Sequence, residues 1–202
     1  MTVSYQGREY RLLMFDLDDT LAPSKSPIST EMAAVLRHML GRSLGCIISG
    51  GRYEQFQAQV IDRLGEFDDI GNLHLMPTCG TQYVRWSGSE WQTVYAELLT
   101  EEEKARTMTV LETGAKYLGL WEFDTWGPIL EDRGSQITFS ALGQSAPVDA
   151  KAAWDPDGIK KESLRSYAAE RLPDLEVRSG GSTSVDVTRK GIDKAYGARK
   201  LM

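Results

Sequence analysis

Asp16 and Asp18 stand two residues apart in Phe15-Asp16-Leu17-Asp18-Asp19-Thr20-Leu21, directly after the apolar run Leu12-Leu13-Met14-Phe15. Side chains alternate along an extended backbone, so residues i and i+2 leave a strand end on the same side. Two carboxylates placed this way offer oxygen ligands to a divalent cation. One can attack phosphorus while the other moves a proton. Thr20 adds a hydroxyl, and the turn adds backbone N–H groups, both suited to a phosphate. A bare D-x-D is usually an acidic turn and nothing more. The buried strand in front of this one, and the Thr-Leu behind it, make the pattern specific.

A second candidate lies at Ser49-Gly50-Gly51-Arg52, after the apolar run Leu44-Gly45-Cys46-Ile47-Ile48. A hydroxyl and bare N–H groups between a strand end and a helix start suit a phosphate, which makes Ser49 and Gly50 candidate binding residues. The elements that must hold both sites can be read from periodicity. Residues 11–15, 44–48 and 73–76 are continuous apolar runs of strand length. Ser29 or Thr30 caps a helix to about Leu40, with Met32, Val35, Leu36, Met39 and Leu40 on one face. A second helix follows Arg52 to about Leu64. Strand, helix, strand, helix, strand implies a parallel α/β sheet with right-handed crossovers.

The pattern changes after Gly80. Gln82–Trp86 and Glu90–Tyr95 flank Ser87-Gly88-Ser89 as a hairpin. Thr100-Glu101-Glu102-Glu103 is a capping box for a helix through Leu118. Gln136–Leu142 alternates like a strand, Asp157–Leu172 reads as a helix ended by Pro173, and Leu175–Arg178 and Thr183–Val187 read as strands. A final helix spans Ile192–Leu201. The expected organisation is a sheet domain at 1–81 and 188–202, interrupted by an α+β unit at 82–187.

With 202 residues the chain is long enough for one or two domains, and its net charge is −6 with no polybasic run. That argues against a nucleic-acid surface. No apolar stretch approaches the roughly 20 residues of a membrane span, and no signal peptide is visible. Cys46 and Cys79 lack metal-ligand spacing and read as buried, reduced thiols, which points to a cytoplasmic protein. His38 and His74 read as packing or surface residues. The five tryptophans, clustered mainly in Trp86–Trp154, read as core of the inserted unit.

The D-x-D-x-T-L segment, with Ser49 after the second strand and an insertion after the third, resembles the haloacid dehalogenase superfamily of phosphoryl-transfer enzymes. The resemblance implies a Rossmann-like core with a large α/β cap. It makes Asp16 the nucleophile that becomes an aspartyl-phosphate, and Asp18 the general acid/base. Thr20 and Ser49 then hold the phosphate, and magnesium is bound by Asp16 and the Asp18 carbonyl. A lysine just inside the helix after the cap neutralises the phosphate. Lys194 matches by its spacing past Gly191, with Lys190 the alternative.

A narrower resemblance, to eukaryotic-type phosphomannomutases and their bacterial relatives, rests on Glu131–Gly143, Gly180–Val187 and Leu21-Ala22-Pro23-Ser24-Lys25. It implies a phosphorylated-sugar substrate touched by Lys25, Arg133, Ser184 and Asp186, under a cap that closes to exclude water. Gln144 stands where the mutases carry a second arginine, and Lys151 stands near where they carry another. Fewer guanidinium groups favour hydrolysis over mutase chemistry, because a bisphosphorylated intermediate needs a strong second phosphate site. A catalytically weak sugar-phosphate-binding protein is the reading from another class. The superfamily's fourth motif, an acidic metal ligand after one more strand, has no counterpart before Met202. That leaves open a fragment, another source for the acid, or weak magnesium binding. It also sets the expectation of a first strand with an exposed edge or one covered by another chain, as in a homo-oligomer.

Overall fold

The computed structural model describes residues 3–5 and 7–202, with side chains from Arg11 onward; Met1, Thr2 and Gln6, part of the N-terminal stretch read above for a leader, lie outside the described residues. The chain divides into two compact units, residues 1–97 with 192–202, and residues 98–191.

In the first unit a short hairpin, β1 (Val3–Tyr5) and β2 (Arg8–Tyr10), precedes β3 (Leu12–Phe15). Strands β3, β4 (Leu44–Ile48) and β5 (Leu73–Met76) pair in parallel. Two further strands, β6 (Gln82–Trp86) and β7 (Trp91–Ala96), continue the sheet antiparallel, in the order β3-β4-β5-β6-β7. The hairpin therefore extends the first sheet instead of opening the inserted unit. The divisions fall at 97/98 and 191/192, not at 81/82 and 187/188. The physical reason is pairing: His74 and Leu75 of β5 lie opposite Arg85 and Val84 of β6. Strand β3 ends the sheet order among the described residues.

One sheet face is covered by α1 (Thr30–Leu40) and by the segment from α2 (Tyr53–Phe56) through a π-helical turn (Gln57–Ile61) to α3 (Asp62–Leu64). Ser29 caps α1, accepting from the Met32 N–H at 3.1 Å. The buried stripe of α1 is Ala33, Leu36 and Leu40, and Val35 is exposed. The stripe is rotated from the expected one because Ala33, not Val35, completes the i, i+3, i+7 set with Leu36 and Leu40. These side chains join Leu17, Ile47, Phe56, Val60, Leu64, Leu73 and Leu75 in one core. Each fully buried leucine there contributes about 1.5–3 kcal/mol. The opposite face holds Cys46, Ile48 and Met76, with Leu201 of α7 (Lys194–Leu201) packed against them.

Helix α7 meets the Thr78–Gly80 turn backbone to backbone, with the Ile48 side chain beside the contact. A Cβ on Gly80 would stand 2.3 Å from Gly197 Cα, and one on Gly197 would stand 2.8 Å from the Cys79 carbonyl oxygen. Glu97 also accepts hydrogen bonds from the Tyr196 hydroxyl and the Lys200 ammonium.

The second unit is a four-stranded antiparallel sheet, ordered β10 (Leu175–Ser179), β11 (Ser184–Arg189), β9 (Gln136–Ser140) and β8 (Leu130–Asp132). Helices α4 (Glu101–Tyr117) and α6 (Ile159–Arg171) supply Leu111, Ala115, Leu164 and Ala168 to a core with Ile137, Phe139, Val185 and Val187. The Thr100–Glu103 capping box forms at the start of α4. Strand β8 and helix α5 (Val148–Trp154) were not expected from periodicity; both are short, and α5 starts from Pro147 without a side-chain cap. Of the tryptophans, Trp154 is buried in this core, Trp126 is exposed, and Trp86 and Trp91 stack edge-on in the first unit's hairpin. Hairpin tryptophans can cover each other across the strands, so they need no place in the inserted core. No helix among the described residues is long and apolar enough to cross a membrane.

Candidate active site

Parallel pairing of β3 with β4 sets Phe15 beside Ile47, so Asp16 and Ser49 leave neighbouring strands at the same sheet end. In open parallel sheets, ligands bind outside the carboxyl ends of the strands. After β3 the chain winds tightly: the Leu17 carbonyl accepts from the N–H groups of Thr20, Leu21 and Ala22, and Asp19 takes a left-handed φ of 58°. Leucine 17 is fully buried, which anchors the turn between the two acids.

Asp16 Oδ1 accepts the Leu17 N–H at 2.8 Å, and Oδ2 pairs with the Lys194 ammonium. The Asp16 and Lys194 side chains keep 35% and 47% exposure, so the pair is reachable by a ligand. Lys194 is the first residue of α7, and Asp193 is its N-cap, accepting the Tyr196 N–H at 2.6 Å. Asp193 thus spends its carboxylate on the helix start. Lys190, the alternative, is exposed and lies in the second unit.

Asp18 is held by three donors. Its Oδ1 accepts the Lys25 N–H at 2.8 Å and the Gln59 amide at 3.3 Å, and its Oδ2 accepts the Gln55 amide at 2.9 Å. Thr20 and Lys25 are exposed in the loop that follows, and Lys25 has a φ of 57°.

Ser49 is buried, and its Oγ accepts the Gly51 N–H at 3.3 Å. The Thr78–Gly80 turn docks on this loop, with the Thr78 N–H donating to the Gly51 carbonyl and the Cys79 N–H to the Ser49 carbonyl, both at 2.9 Å. Thr78 and Cys79 hold φ values of 47° and 57°. For a β-branched residue this is a costly conformation, sustained by the contacts around it. Cys79 is half-exposed, not buried as its sequence context suggests, because the turn carries it to the strand ends. Cys46 is buried, and burial pushes its thiol up to about 12. His74 packs on Tyr83 with a 2.7 Å hydrogen bond to its hydroxyl. Burial, followed by the Arg85 charge, holds this imidazole below its usual range.

The remaining expected residues lie in the second unit. Arg133 donates from Nε and Nη2 to Glu131 Oε2 at 2.9 and 2.7 Å, and the two side chains are only 10% and 16% exposed. Asp186 Oδ1 accepts from Thr138 Oγ1 at 2.8 Å and Gln136 Nε2 at 2.9 Å, and Ser184 Oγ lies 3.3 Å from Ser140 Oγ.

No family model matches the chain. Phosphomannomutase 1 of Mus musculus is 26% identical over 209 residues, covering 97% of this chain and 76% of that protein. The phosphomannomutase of Saccharomyces cerevisiae is 26% identical over 210 residues, covering 96% and 76%. Among solved structures, the C-terminal domain of C. albicans trehalose-6-phosphate phosphatase superposes with a TM-score of 0.66 at 17% identity, over 95% of this chain. This chain spans 61% of that one. A haloacid dehalogenase-like hydrolase from Bacteroides thetaiotaomicron gives 0.59 at 20% identity, covering 95% and 76%. The chain has the haloacid dehalogenase fold.

Within that fold, sequence reasoning passed over Gln55 and Gln59. Both carry neutral amides inside an ordinary helical stretch. The one available signal is their spacing of four, directly after Ser49-Gly50-Gly51, which turns both toward one side of a helix.

Proposed function

We propose that this protein is a phosphatase of phosphorylated sugars that works through an aspartyl-phosphate on Asp16. The observation that carries the reading is the exposed Asp16–Lys194 pair beside a firmly held Asp18 at the carboxyl end of a parallel sheet. In the first step an Asp16 oxygen bonds to phosphorus and the bond from phosphorus to the sugar oxygen breaks. Asp18 gives its proton to that oxygen, releasing the free sugar. In the second step Asp18 takes a proton from water, the water oxygen bonds to phosphorus, and the bond to Asp16 breaks, releasing inorganic phosphate. Lys194, Thr20, Ser49 and the Gly50 backbone compensate the charge on the phosphoryl oxygens. Lys194 takes the cationic role ahead of Lys190.

The donor set suits magnesium in kind, being hard oxygen: the Asp16 carboxylate and the Asp18 carbonyl would hold it, with substrate and water oxygens completing the shell. No cluster of three or more acidic, histidine or cysteine side chains able to hold a metal occurs among the described residues. When bound, the cation supplies charge neutralisation at the phosphoryl oxygens.

Recognition of the sugar falls in this reading to Lys25 and to Arg133, Ser184 and Asp186 of the second unit. Hydrolysis is preferred over phosphohexose interconversion because Arg133 already shares its guanidinium with Glu131. The similarity to phosphomannomutases favours the mutase as the second reading. The test is a panel of hexose phosphates with magnesium, with and without a hexose bisphosphate, scored for inorganic phosphate and for isomerised sugar. Phosphate release without need of the bisphosphate is the expected result. Bisphosphate-dependent interconversion with little phosphate release would replace this reading with the mutase, and binding without turnover would leave a sugar-phosphate-binding protein.

A further inference from the structure

We infer that Gln55 and Gln59 are positioning residues that aim the Asp18 carboxyl at the leaving oxygen, an inference that rests on the aspartyl-phosphate reading above. The two amides approach Asp18 from one helical segment and take different oxygens, Gln55 on Oδ2 and Gln59 on Oδ1. A carboxyl gripped at both oxygens cannot rotate about its terminal torsion, so its direction is fixed before substrate arrives.

Three further observations give the grip its purpose. First, Gln59 lies in the π-helical turn, a widened turn that re-aims side chains and recurs at functional sites. Second, Gln59 is only 2% exposed, and its Oε1 has no hydrogen-bond partner among the described residues. A buried unsatisfied acceptor costs about 1–3 kcal/mol. The fold tolerates that cost while both Gln59 donor bonds are made, to Asp18 and to the Ser26 carbonyl at 2.6 Å. Third, the same turn holds the loop after Asp18, since the Ile28 N–H donates to the Gln59 carbonyl at 2.9 Å. Asp18, the Lys25 N–H, the Ser26 carbonyl and Gln59 therefore close a ring of contacts.

Gln55 ties this ring to the glycine loop. A Cβ on Gly51 would stand 2.3 Å from Gln55 Oε1 and 3.2 Å from Nε2, so the amide crosses the bare face of Gly51. The missing Cβ of Gly51 thus leaves the space through which Gln55 reaches Asp18.

The test compares Gln55→Ala and Gln59→Glu with wild type on two monoesters, p-nitrophenyl phosphate and a simple alkyl phosphate. A nitrophenolate leaves without a proton and an alkoxide does not, so in the phosphoenzyme-forming step, which kcat/KM reports, misaiming the acid is felt by the alkyl ester alone. The expected result is a kcat/KM loss of about 10–100-fold on the alkyl ester for each variant, with kcat/KM for p-nitrophenyl phosphate little changed. In an Asp18→Asn background, Gln55→Ala should add no further loss, because both changes act through one group. Equal losses on the two esters, no loss on either, or full additivity with Asp18→Asn would each overturn the inference. Gln55 is half-exposed, so its alanine variant tests the idea even if the Gln59 variant fails to fold. A wild type inert toward both esters would instead defeat the aspartyl-phosphate reading, and the inference would fall with it.

Discussion

Acidic groups meet their partners differently in the two units. In the first, Asp16 and Asp18 are reached by groups from separate parts of the chain: Lys194 at the start of α7, Gln55 and Gln59 on the helical segment, and the Lys25 N–H in a loop. The Asp16–Lys194 pair stays open to solvent. In the second unit, Glu131 with Arg133, and Asp186 with Thr138 and Gln136, are satisfied along and across neighbouring strands, and the Glu131–Arg133 pair is largely buried. An exposed pair can exchange its partner for a ligand at small cost, because surface ion pairs contribute only about 0–1 kcal/mol. A buried pair gives up far more if one member is removed. Under the proposed function, bond-making therefore falls to the first unit, and fixed recognition together with structural support to the second.

The most severe break should come at Asp16. Asp16→Asn is expected to cut phosphate release by ~10⁴-fold or more, as when a nucleophile is lost, with the fold retained. Mass spectrometry of the substrate-treated variant should show no phosphoryl adduct, and turnover near wild type would remove chemistry from the first unit. Lys194→Ala should follow, at about 10²–10³-fold in kcat, the usual cost of one charge-stabilising group. Lys194→Arg should recover part of it. A Lys194→Ala effect confined to thermal stability would reduce the pair to a structural contact.

In the second unit the expected balance is reversed. Thr138→Val removes a buried donor to Asp186 and should cost about 1–2 kcal/mol in denaturant unfolding. Aryl-phosphate turnover should be unchanged, and a large loss would erase the distinction between the units. The smallest effect concerns Glu103, whose carboxyl is held down to about 2 by the Arg189 guanidinium and then by the Thr100 N–H. A depressed acid lends stability above its ordinary value of 4.5, and that contribution is lost as pH falls toward 2. Thermal midpoints of wild type and Glu103→Gln should therefore converge on acidification. A gap independent of pH would mean that the Glu103 charge is not what stabilises.

How far this could be read from sequence depended on the range of each signal. Leu12–Phe15 followed by two acids, and Leu44–Ile48 followed by Ser-Gly-Gly, announce strand ends and their cargo within a few residues. The Thr100–Glu103 box announces α4 in the same way. The hairpin at 82–96 was recognisable as a hairpin, but its membership was not. Its place is decided by β6 pairing with β5, a choice between sheets that no local pattern records. The π turn was invisible for a related reason. Gln57–Ile61 has ordinary helical residues, and its widening follows from the loop at Ser26–Ile28 bonded to Gln59. The two glutamines that grip Asp18 carry no formal charge and so gave no chemical signal.

The backbone contact between Gly80 and Gly197 has one further consequence. Because the two glycines meet backbone to backbone, α7 behaves as a mechanical datum: its height above the Thr78–Gly80 turn is set by peptide thickness, with the Ile48 side chain alongside. Libraries that keep Ile48 and vary apolar residues farther away can repack without raising Lys194 away from Asp16. A single added methyl at either glycine lifts the whole helix, and no neighbouring substitution can shave the backbone to let it back down. Engineers who wish to retune this protein have broad freedom around the lysine and almost none beneath it.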